Sequence, residues 1–173
     1  MSGPIVRQAR PYDLSRLGAI EASGAQTFAA AGDPLADGSP PASPDAWRAA
    51  MEAGCVWVLD DPPEGLIGFL AGELAEHGLY IAEIDVVMDH QRKGHGRRLM
   101  QWVIGWAKAK GLAALTLTTF RDVAWNAPFY ASLGFVEIPA CELSPRLIGI
   151  LENQAARGFD PRRRCAMRLT LED

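Results

Sequence analysis

A short loop rich in glycine and positive charge is the segment of this sequence best suited to chemistry. Gln91-Arg92-Lys93-Gly94-His95-Gly96 follows an apolar run from Tyr80 to Val87 and precedes a helical pattern from Arg97 to Lys110. Glycines let the backbone approach a ligand closely, and a helix start presents N–H groups and the positive end of the helix dipole. The loop therefore predicts a bound anion, such as a phosphate.

The charges around the loop favour the same interpretation. Arg92, Lys93, Arg97 and Arg98 bring four cations into seven residues of a chain whose net charge is −4. Each cation in a first helical turn opposes the helix dipole by roughly 0.3–1 kcal/mol, and a bound anion would balance them. A solvated basic surface at an ordinary strand-to-helix turn is the alternative. Dinucleotide and ATP-type loops are excluded, because Leu99 replaces the third glycine of the former and no Gly-Lys-Ser/Thr triplet exists.

Two carboxylates stand on the strand that precedes the loop. Glu83 and Asp85 are two residues apart in an otherwise apolar run, so their side chains share one face of the strand. Burying two carboxylates without a function would cost several kcal/mol. The alternative to a chemical role is that one of them caps a loop or pairs with an arginine of the glycine loop.

Composition limits the class of protein. A length of 173 residues with 49% hydrophobic content fits one globular domain spanning residues 1–173. The acidic balance argues against binding of nucleic acid through overall charge. Neither a signal-peptide pattern nor an 18-residue apolar window is present, so we expect a soluble, cytoplasmic protein without a membrane partner. The widely spaced cysteines predict neither a disulfide nor a metal site, and we expect each to be a small buried residue: Cys55, Cys141 and Cys165.

The elements that must position these residues alternate along the chain. The predicted strands are Ile5–Ala9, Val56–Leu59, Leu66–Leu74, Leu79–Val87, Ala114–Thr119, Phe135–Ile138 and Cys165–Leu171. The predicted helices start at an Asp13 cap, at Ser43-Pro44, at Arg97, at Trp125 and at Ser144-Pro145, and a loop occupies residues 31–42. A short turn makes strands three and four antiparallel, whereas the helix after the glycine loop predicts that strands four and five are parallel.

This ordered set of motifs resembles the GNAT-type N-acetyltransferases. In that family, Arg/Gln-x-x-Gly-x-Gly/Ala binds the pyrophosphate of acetyl-CoA, and the segment from Gln91 to Gly96 matches every specified position. A later family segment has an aromatic or aliphatic residue, Tyr, three residues, Gly and Phe. It is matched here by Phe129, Tyr130, Gly134 and Phe135. The resemblance is strong from about Glu83 to Phe135.

The resemblance implies a fold and a cofactor site. The fold would be α/β (α+β), with a mixed, mostly antiparallel, twisted sheet of about six or seven strands, flanked by helices and splayed between strands four and five. The pantetheine arm would lie between those two strands, and the backbone of Val86 and Val87 would hold the thioester and the arm. The pyrophosphate would be bound by backbone N–H groups of Lys93, Gly94, His95, Gly96 and Arg97, with added contacts from the side chains of Arg92, Lys93 and Arg97.

The implied reaction moves an acetyl group from acetyl-CoA to a primary amine by direct attack in a ternary complex, without a metal. The amine would belong to a small molecule or to a peptide. Glu83 or Asp85 would accept the amine proton, through water, or would anchor a cationic substrate. Tyr130 occupies the family's general-acid position, and its phenol, with a pKa of about 10, can protonate the leaving thiolate. A backbone N–H near Val86 would polarise the thioester carbonyl.

Three features depart from the family pattern. Val123 stands where members often carry an asparagine that binds the cofactor arm, so Asn126 either takes over this contact or caps the next helix. Pro128 lies inside the predicted helix and indicates a later helix start. The segment from Ala140 to Arg164 is longer than a simple hairpin, and it either covers the acceptor site or forms a subunit contact, as in a homodimer. A non-catalytic acyl-CoA-binding or sensor module of the same fold is the alternative function.

Overall fold

The fold was established from a computed structural model, which describes residues 3–30 and 43–171. The predicted loop 31–42 lies outside the described residues. The chain forms two compact units: the first comprises Met1–Leu74 and Ala82–Trp106, and the second comprises Ala75–Ile81 and Ala107–Asp173. Within the described residues, no helix combines the length and the apolar content needed to cross a membrane.

Seven strands of the described residues form one mixed sheet. They are β1 (Ile5–Gln8), β2 (Val56–Asp61), β3 (Gly65–Ala75), β4 (Gly78–Val86), β5 (Ala114–Phe120), β6 (Val136–Glu137) and β7 (Arg164–Thr170). Their order across the sheet is β1-β2-β3-β4-β5-β7-β6. Strands β4 and β5 are parallel, and the β1–β2, β2–β3, β5–β7 and β6–β7 pairs are antiparallel. The predicted fold class and the parallel pair are therefore confirmed.

Five α-helices accompany the strands in the described part of the chain. They are α1 (Leu14–Ala30), α2 (Arg48–Glu52), α3 (His95–Ala109), α4 (Ala127–Ala131) and α5 (Pro145–Ala156). Because α3 lies between β4 and β5 in the chain, it supplies the crossover connection that a parallel pair requires.

The core of the first unit lies between α1 and the inner strands. Leu14, Leu17 and Ile20 recur at helical spacing, and they form one buried cluster with side chains from β2 and β3, including Phe69. Full burial of each such side chain contributes roughly 1.5–3 kcal/mol. The predicted Asp13 cap is wrong in detail. Asp13 closes a preceding 3-10 turn, where its carboxylate accepts the Arg10 N–H at 2.7 Å.

Helix α3 presents the apolar stripe that the sequence predicts. Leu99, Val103 and Ala107 are fully buried, and Trp106 packs edge-on against Trp57 with ring centroids 4.8 Å apart. The helix starts at His95, two residues earlier than the predicted Arg97. The glycine loop is therefore shorter than predicted, and its last two residues form the first turn of the helix.

The second unit contains the parallel pairing and the later strands. Leu79–Ile81 of β4 pair with Leu115–Leu117 of β5, and β4 continues for five further residues to Val86. Strand β5 pairs with β7 along its whole length, from Ala114↔Thr170 to Phe120↔Arg164. The predicted N-cap of α5 is confirmed, because Ser144 Oγ accepts the Leu147 N–H at 3.3 Å.

The long segment between β6 and β7 is anchored at both ends. At one end, the Ile138 N–H donates to Ala166 O at 2.9 Å, and at the other, the Arg121 N–H donates to Arg163 O at 2.7 Å. In its middle, Gln154 Nε2 of α5 donates to Thr118 Oγ1 of β5 at 2.9 Å. The segment is thus fixed to the strands at its ends and through its helix.

The starts of α2 and α4 and the burial of the cysteines test three further expectations. The Ser43-Pro44 signal opens only a turn, because Ser43 O accepts the Ala46 N–H and α2 begins at Arg48. Helix α4 begins at Ala127 with Pro128 in its first turn, which confirms the later start that this proline indicated. Cys55 and Cys165 are buried as predicted, but Cys141 is exposed, since its 3-10 turn lies at the surface.

Candidate active site

The loop between β4 and α3 is curved by two residues in the left-handed region. Arg92 has φ 62° and Gly94 has φ 84°. Turns of this kind bring successive backbone N–H groups to one side and form a concave surface for an anion. The first internal bond of α3 runs from the Arg98 N–H to Gly94 O at 3.0 Å. The N–H groups of His95 and Gly96 precede that bond, as expected at a helix start, so the loop carries the donors that a phosphate needs.

Positive charge surrounds these donors. Arg92, Lys93 and Arg98 are exposed, and His95 is half-buried. Burial lowers the pKa of His95, and the nearby His90, Lys93 and Arg98 lower it further. His95 is therefore mainly neutral at pH 7, and the charge of the loop comes from its arginines and its lysine.

The side chain of Gln91 joins the loop to two other elements of the first unit. Its Nε2 donates to Val86 O at 2.9 Å, and its Oε1 accepts a hydrogen bond from Thr27 Oγ1 of α1 at 2.8 Å. The amide is thus engaged with protein groups at both ends. A contact between Gln91 and a cofactor stays a prediction.

The backbone N–H groups at the end of β4 point to opposite edges of the strand. The Val87 N–H donates to Ile67 O of β3 at 2.9 Å. Because N–H groups alternate in direction along an extended chain, the Val86 N–H points to the opposite edge of β4. Of the two predicted backbone positions, Val86 is therefore the one that can present an N–H away from β3.

Glu83 and Asp85 lie on the same face of β4, as their spacing predicts. Their side chains hydrogen-bond to each other, and Glu21 of α1 lies close enough to act electrostatically on Asp85. Burial raises the pKa of Asp85 well above its usual value, and the charges of Glu83 and Glu21 add to this effect. A hydrogen bond between two carboxyl groups requires a proton on one of them, so this pair holds a proton more tightly than two separate carboxylates.

Helix α1 contributes three residues that the sequence analysis missed. Ser23 Oγ accepts the Met88 N–H at 2.9 Å, Thr27 bonds to Gln91, and Gly24 lies directly against Asp85. One signal was present in the sequence. The buried stripe Leu17, Ile20 and Gly24 ends on a glycine, which is typical of a close approach by another element.

Tyr130 is held within the second unit by its own motif. Its ring packs edge-on against Phe129 at 5.2 Å and against Phe135 at 5.9 Å. Its backbone O accepts the Phe135 N–H at 3.1 Å, across a turn in which Gly134 has φ 97°. The motif therefore closes the end of α4 tightly and fixes the base of the tyrosine side chain.

Asn126 has a different local role from the predicted helix cap. It precedes α4 without a side-chain capping bond, and its Oδ1 accepts a hydrogen bond from Thr119 Oγ1 of β5 at 2.7 Å. The cap alternative is wrong, because the amide turns towards the strand. A contact between Asn126 and the cofactor stays a prediction.

The sequence profile of the Acetyltransferase (GNAT) family matches residues 26–135. This range includes the acidic strand, the glycine loop and the tyrosine motif. The chain belongs to the GNAT family of acetyltransferases.

Solved structures show the same GNAT fold. The ribosomal-protein-S18-alanine N-acetyltransferase from Escherichia coli is 18% identical, with a TM-score of 0.69 over 98% of this chain and 95% of that one. The N-acetylglutamate synthase from Neisseria gonorrhoeae, complexed with coenzyme A and N-acetyl-glutamate, is 19% identical, with a TM-score of 0.71 over 100% of this chain and 36% of that one. YncA from Salmonella typhimurium, determined with acetyl-CoA, is 19% identical, with a TM-score of 0.68 and coverages of 99% and 96%.

The predicted site residues of this GNAT chain fall into two groups. The first unit brings together the acidic pair and the glycine loop: Glu83, Asp85, Val86, Val87, Gln91, Arg92, Lys93, Gly94, His95, Gly96 and Arg97. The second unit contains Asn126 and Tyr130. Within the described residues, no group of three or more His, Cys, Asp or Glu side chains is arranged to hold a metal ion.

Proposed function

We propose that this chain is an N-acetyltransferase that moves the acetyl group of acetyl-CoA to a primary amine by direct attack in a ternary complex. The observation that carries the proposal is the hydrogen-bonded Glu83–Asp85 pair, which stands on the strand leading into the anion-binding loop. A carboxyl pair with high proton affinity suits the removal of a proton from an amine. The loop after it suits the phosphates of the acetyl donor.

Acetyl-CoA would be held mainly by backbone. The N–H groups from Lys93 to Arg97 would bind the pyrophosphate, and the side chains of Arg92, Lys93 and Arg97 would add charge. Each charge-assisted hydrogen bond contributes about 1.5–3 kcal/mol. The Val86 N–H, which points away from β3, would polarise the thioester carbonyl, since donors aimed at a developing oxyanion stabilise the transition state.

The acceptor amine must lose a proton around the time of attack. An amine with a pKa of about 10.4 is a free base in less than about one molecule in a thousand at pH 7. The pair would take this proton, directly or through water, and the raised pKa of Asp85 makes it a stronger base than an ordinary carboxylate. The remaining negative charge would attract an acceptor that arrives as an ammonium ion.

The departing thiolate needs a proton in return. As the new C–N bond forms and the C–S bond breaks, the sulfur takes up the electron pair of the broken bond. Tyr130 would donate its phenolic proton to that sulfur. A phenol of pKa about 10 is protonated at pH 7, and its pKa is close enough to that of a thiol, near 8.5, for the proton to be transferred. Its position in the family motif and its fixed backbone support this role.

A coupled assay tests the proposal. The protein is incubated with acetyl-CoA and a panel of small amines and peptides, while free CoA thiol and acetylated products are followed together. The expected result is CoA release that depends on an amine and is matched by a product heavier by one acetyl group. CoA binding by calorimetry without transfer to any amine would favour the non-catalytic binding module. Release of CoA without an acetylated amine would indicate hydrolysis and contradict the proposal.

A further inference from the structure

Gly24, Gly105 and Gly149 lie inside helices α1, α3 and α5, and they differ in what surrounds them. A Cβ atom on Gly24 of α1 would lie 2.1 Å from Oδ1 and 2.9 Å from Cγ of Asp85, both far too close. A Cβ on Gly105 of α3 or on Gly149 of α5 would meet no atom within 4 Å. Glycine is unfavourable in a helix interior compared with alanine. At Gly24 alone among these three, the missing side chain leaves room for a specific group.

Because Gly24 has no side chain, the Asp85 carboxyl can lie against the backbone of α1. Glu83 of β4 and Glu21 of α1 are the titratable groups that act on it there. From β3, Gly68 approaches so closely that its own added Cβ would lie 3.0 Å from Asp85 O. The carboxyl is therefore confined between α1 and β4, with β3 behind its backbone.

Helix α1 is hydrogen-bonded on both sides of Gly24 to the residues that follow β4. On one side of Gly24, Ser23 Oγ accepts the Met88 N–H at 2.9 Å. One helical turn further, Thr27 Oγ1 donates to Gln91 Oε1 at 2.8 Å. These bonds fix the helix to the turn after β4 on both sides of the close approach, so an added methyl group would displace the Asp85 side chain instead.

We propose that Gly24 is a positioning residue for acetyl transfer, because its missing side chain holds the Asp85 carboxyl against α1 in hydrogen-bonding contact with Glu83. The inference rests on the proposed function, in which this pair takes the amine proton. Gly24 touches no reacting atom in this view. It acts through Asp85, and the side-chain size at position 24 sets where the proton acceptor lies.

The test compares Gly24→Ala with Gly105→Ala, a matched change in a helix where the methyl group has space. Gly24→Ala should keep its affinity for CoA, while kcat with an acceptor amine falls about 10- to 100-fold. Displacement of the carboxyl away from α1 reduces the burial that raises the pKa of Asp85. The acid limb of the kcat profile should therefore move to lower pH in Gly24→Ala and remain in place in Gly105→Ala.

A direct measurement separates this inference from the proposed function. The Asp85 carboxyl is titrated by carbon-13 NMR in both variants, and its pKa should fall towards the usual aspartate value in Gly24→Ala only. A wild type that acetylates no amine would overturn the proposed function itself. An active wild type whose turnover and Asp85 titration are both unchanged by Gly24→Ala would overturn only the role of Gly24.

A second variant covers the case in which Gly24→Ala does not fold. Asp85→Ala removes Oδ1 and Cγ, the two atoms closest to the added methyl group. The double variant should then unfold at the same temperature as Asp85→Ala alone or at a higher one, because the clash is removed and alanine is favoured over glycine inside a helix. If the double variant also fails to fold, the clash does not involve the Asp85 carboxyl and the inference is wrong.

Discussion

The Thr27 hydroxyl donates a 2.8 Å hydrogen bond to Gln91 Oε1, which joins helix α1 to the first residue of the glycine loop. The other end of the same amide donates to Val86 O at 2.9 Å. The orientation of Gln91 is therefore set from both sides. Through this one amide, the last part of α1, the end of β4 and the start of the loop share a hydrogen-bonded connection.

Thr27→Val should weaken the binding of acetyl-CoA. Valine has nearly the same shape but cannot donate a hydrogen bond, so the Gln91 amide and the start of the loop lose their orientation. We expect a several-fold higher KM for acetyl-CoA and a loss of about 1 kcal/mol in the free energy of unfolding. Thr27→Ser keeps the hydroxyl and should retain the wild-type KM. Equal KM values for the two variants would contradict a role for the bond.

Gly94→Ala should weaken the binding of CoA more than it lowers the stability of the protein. Gly94 has φ 84°, and an added Cβ would meet no atom of the protein within 4 Å. The left-handed conformation costs about 1 kcal/mol for alanine, whereas a methyl group on the anion-binding side would also obstruct the pyrophosphate. Calorimetry should show CoA binding at least about tenfold weaker, the equivalent of one lost charge-assisted bond.

Gly111→Ala is the control for that change. Gly111, at the end of α3, has φ 68°, and its added Cβ also meets nothing within 4 Å. Thermal denaturation should show a similar loss of stability in both variants. CoA affinity should fall in Gly94→Ala only, and a parallel fall in Gly111→Ala would mean that general destabilisation explains the effect.

Tyr130→Phe should remove turnover and preserve cofactor binding. The ring contacts with Phe129 and Phe135 do not need the hydroxyl, so the local packing remains. Loss of a general acid lowers kcat by about 10²–10⁴-fold. Tyr12→Phe serves as control, since Tyr12 is exposed and its hydroxyl accepts a bond from Arg10. A Tyr130→Phe variant with unchanged kcat would exclude Tyr130 as the acid.

Asp85→Asn should separate stability from activity. Burial and the neighbouring carboxylates raise the pKa of Asp85, so its contribution to stability is present below the unfolded pKa of about 3.9 and is lost as pH rises through the folded pKa. At higher pH, where the Asp85 carboxylate is charged, the uncharged amide of the variant avoids the repulsion from Glu83 and Glu21. Urea denaturation over a series of pH values should find that the free energy of unfolding of the wild type falls relative to that of Asp85→Asn as pH rises, while the turnover of the variant is strongly reduced. A difference in stability that does not change with pH would contradict the raised pKa of Asp85.

Asp13→Asn should show the opposite dependence on pH. Burial alone would raise the pKa of Asp13, but the Arg7 hydrogen bond and the Arg10 N–H outweigh it and lower that pKa. Its stabilising effect is therefore present above the unfolded pKa and disappears as pH falls through the folded value. We expect Asp13→Asn to lose about 1.5–3 kcal/mol at pH 7, the range for a hydrogen bond to a charged group. The difference from wild type should vanish in strong acid, and a constant difference would count against the ion pair.

Local sequence signals predicted those parts of the fold that depend on near neighbours. Ser144 followed by Pro145 predicted the start of α5, because a cap and a first-turn proline act within one turn. Alternation along β4 placed Glu83 and Asp85 on one face. The glycine loop and the tyrosine motif then supplied the order of elements that identifies the family.

Contacts between distant segments set the limits of that prediction. Asn126 turns to Thr119 instead of capping α4, and nothing in the intervening residues indicates this choice. Cys141 is exposed because of where its turn lies, which composition does not reveal. The close approach of Gly24 to Asp85 joins positions sixty-one residues apart in the sequence, and only the glycine at the end of the buried stripe hinted at it.

The connection between β6 and β7 leaves and re-enters the sheet at adjacent points, since Ile138 bonds to Ala166 and Val136 pairs with Arg168. A segment whose ends are already joined can change length at a small entropic cost, about 0.6 kcal/mol for each doubling. A change in the length of the connection therefore costs little loop-closure entropy. The contacts that a shorter segment would lose are those of α5, whose Gln154 bonds to Thr118 of β5 and whose Leu147 is buried.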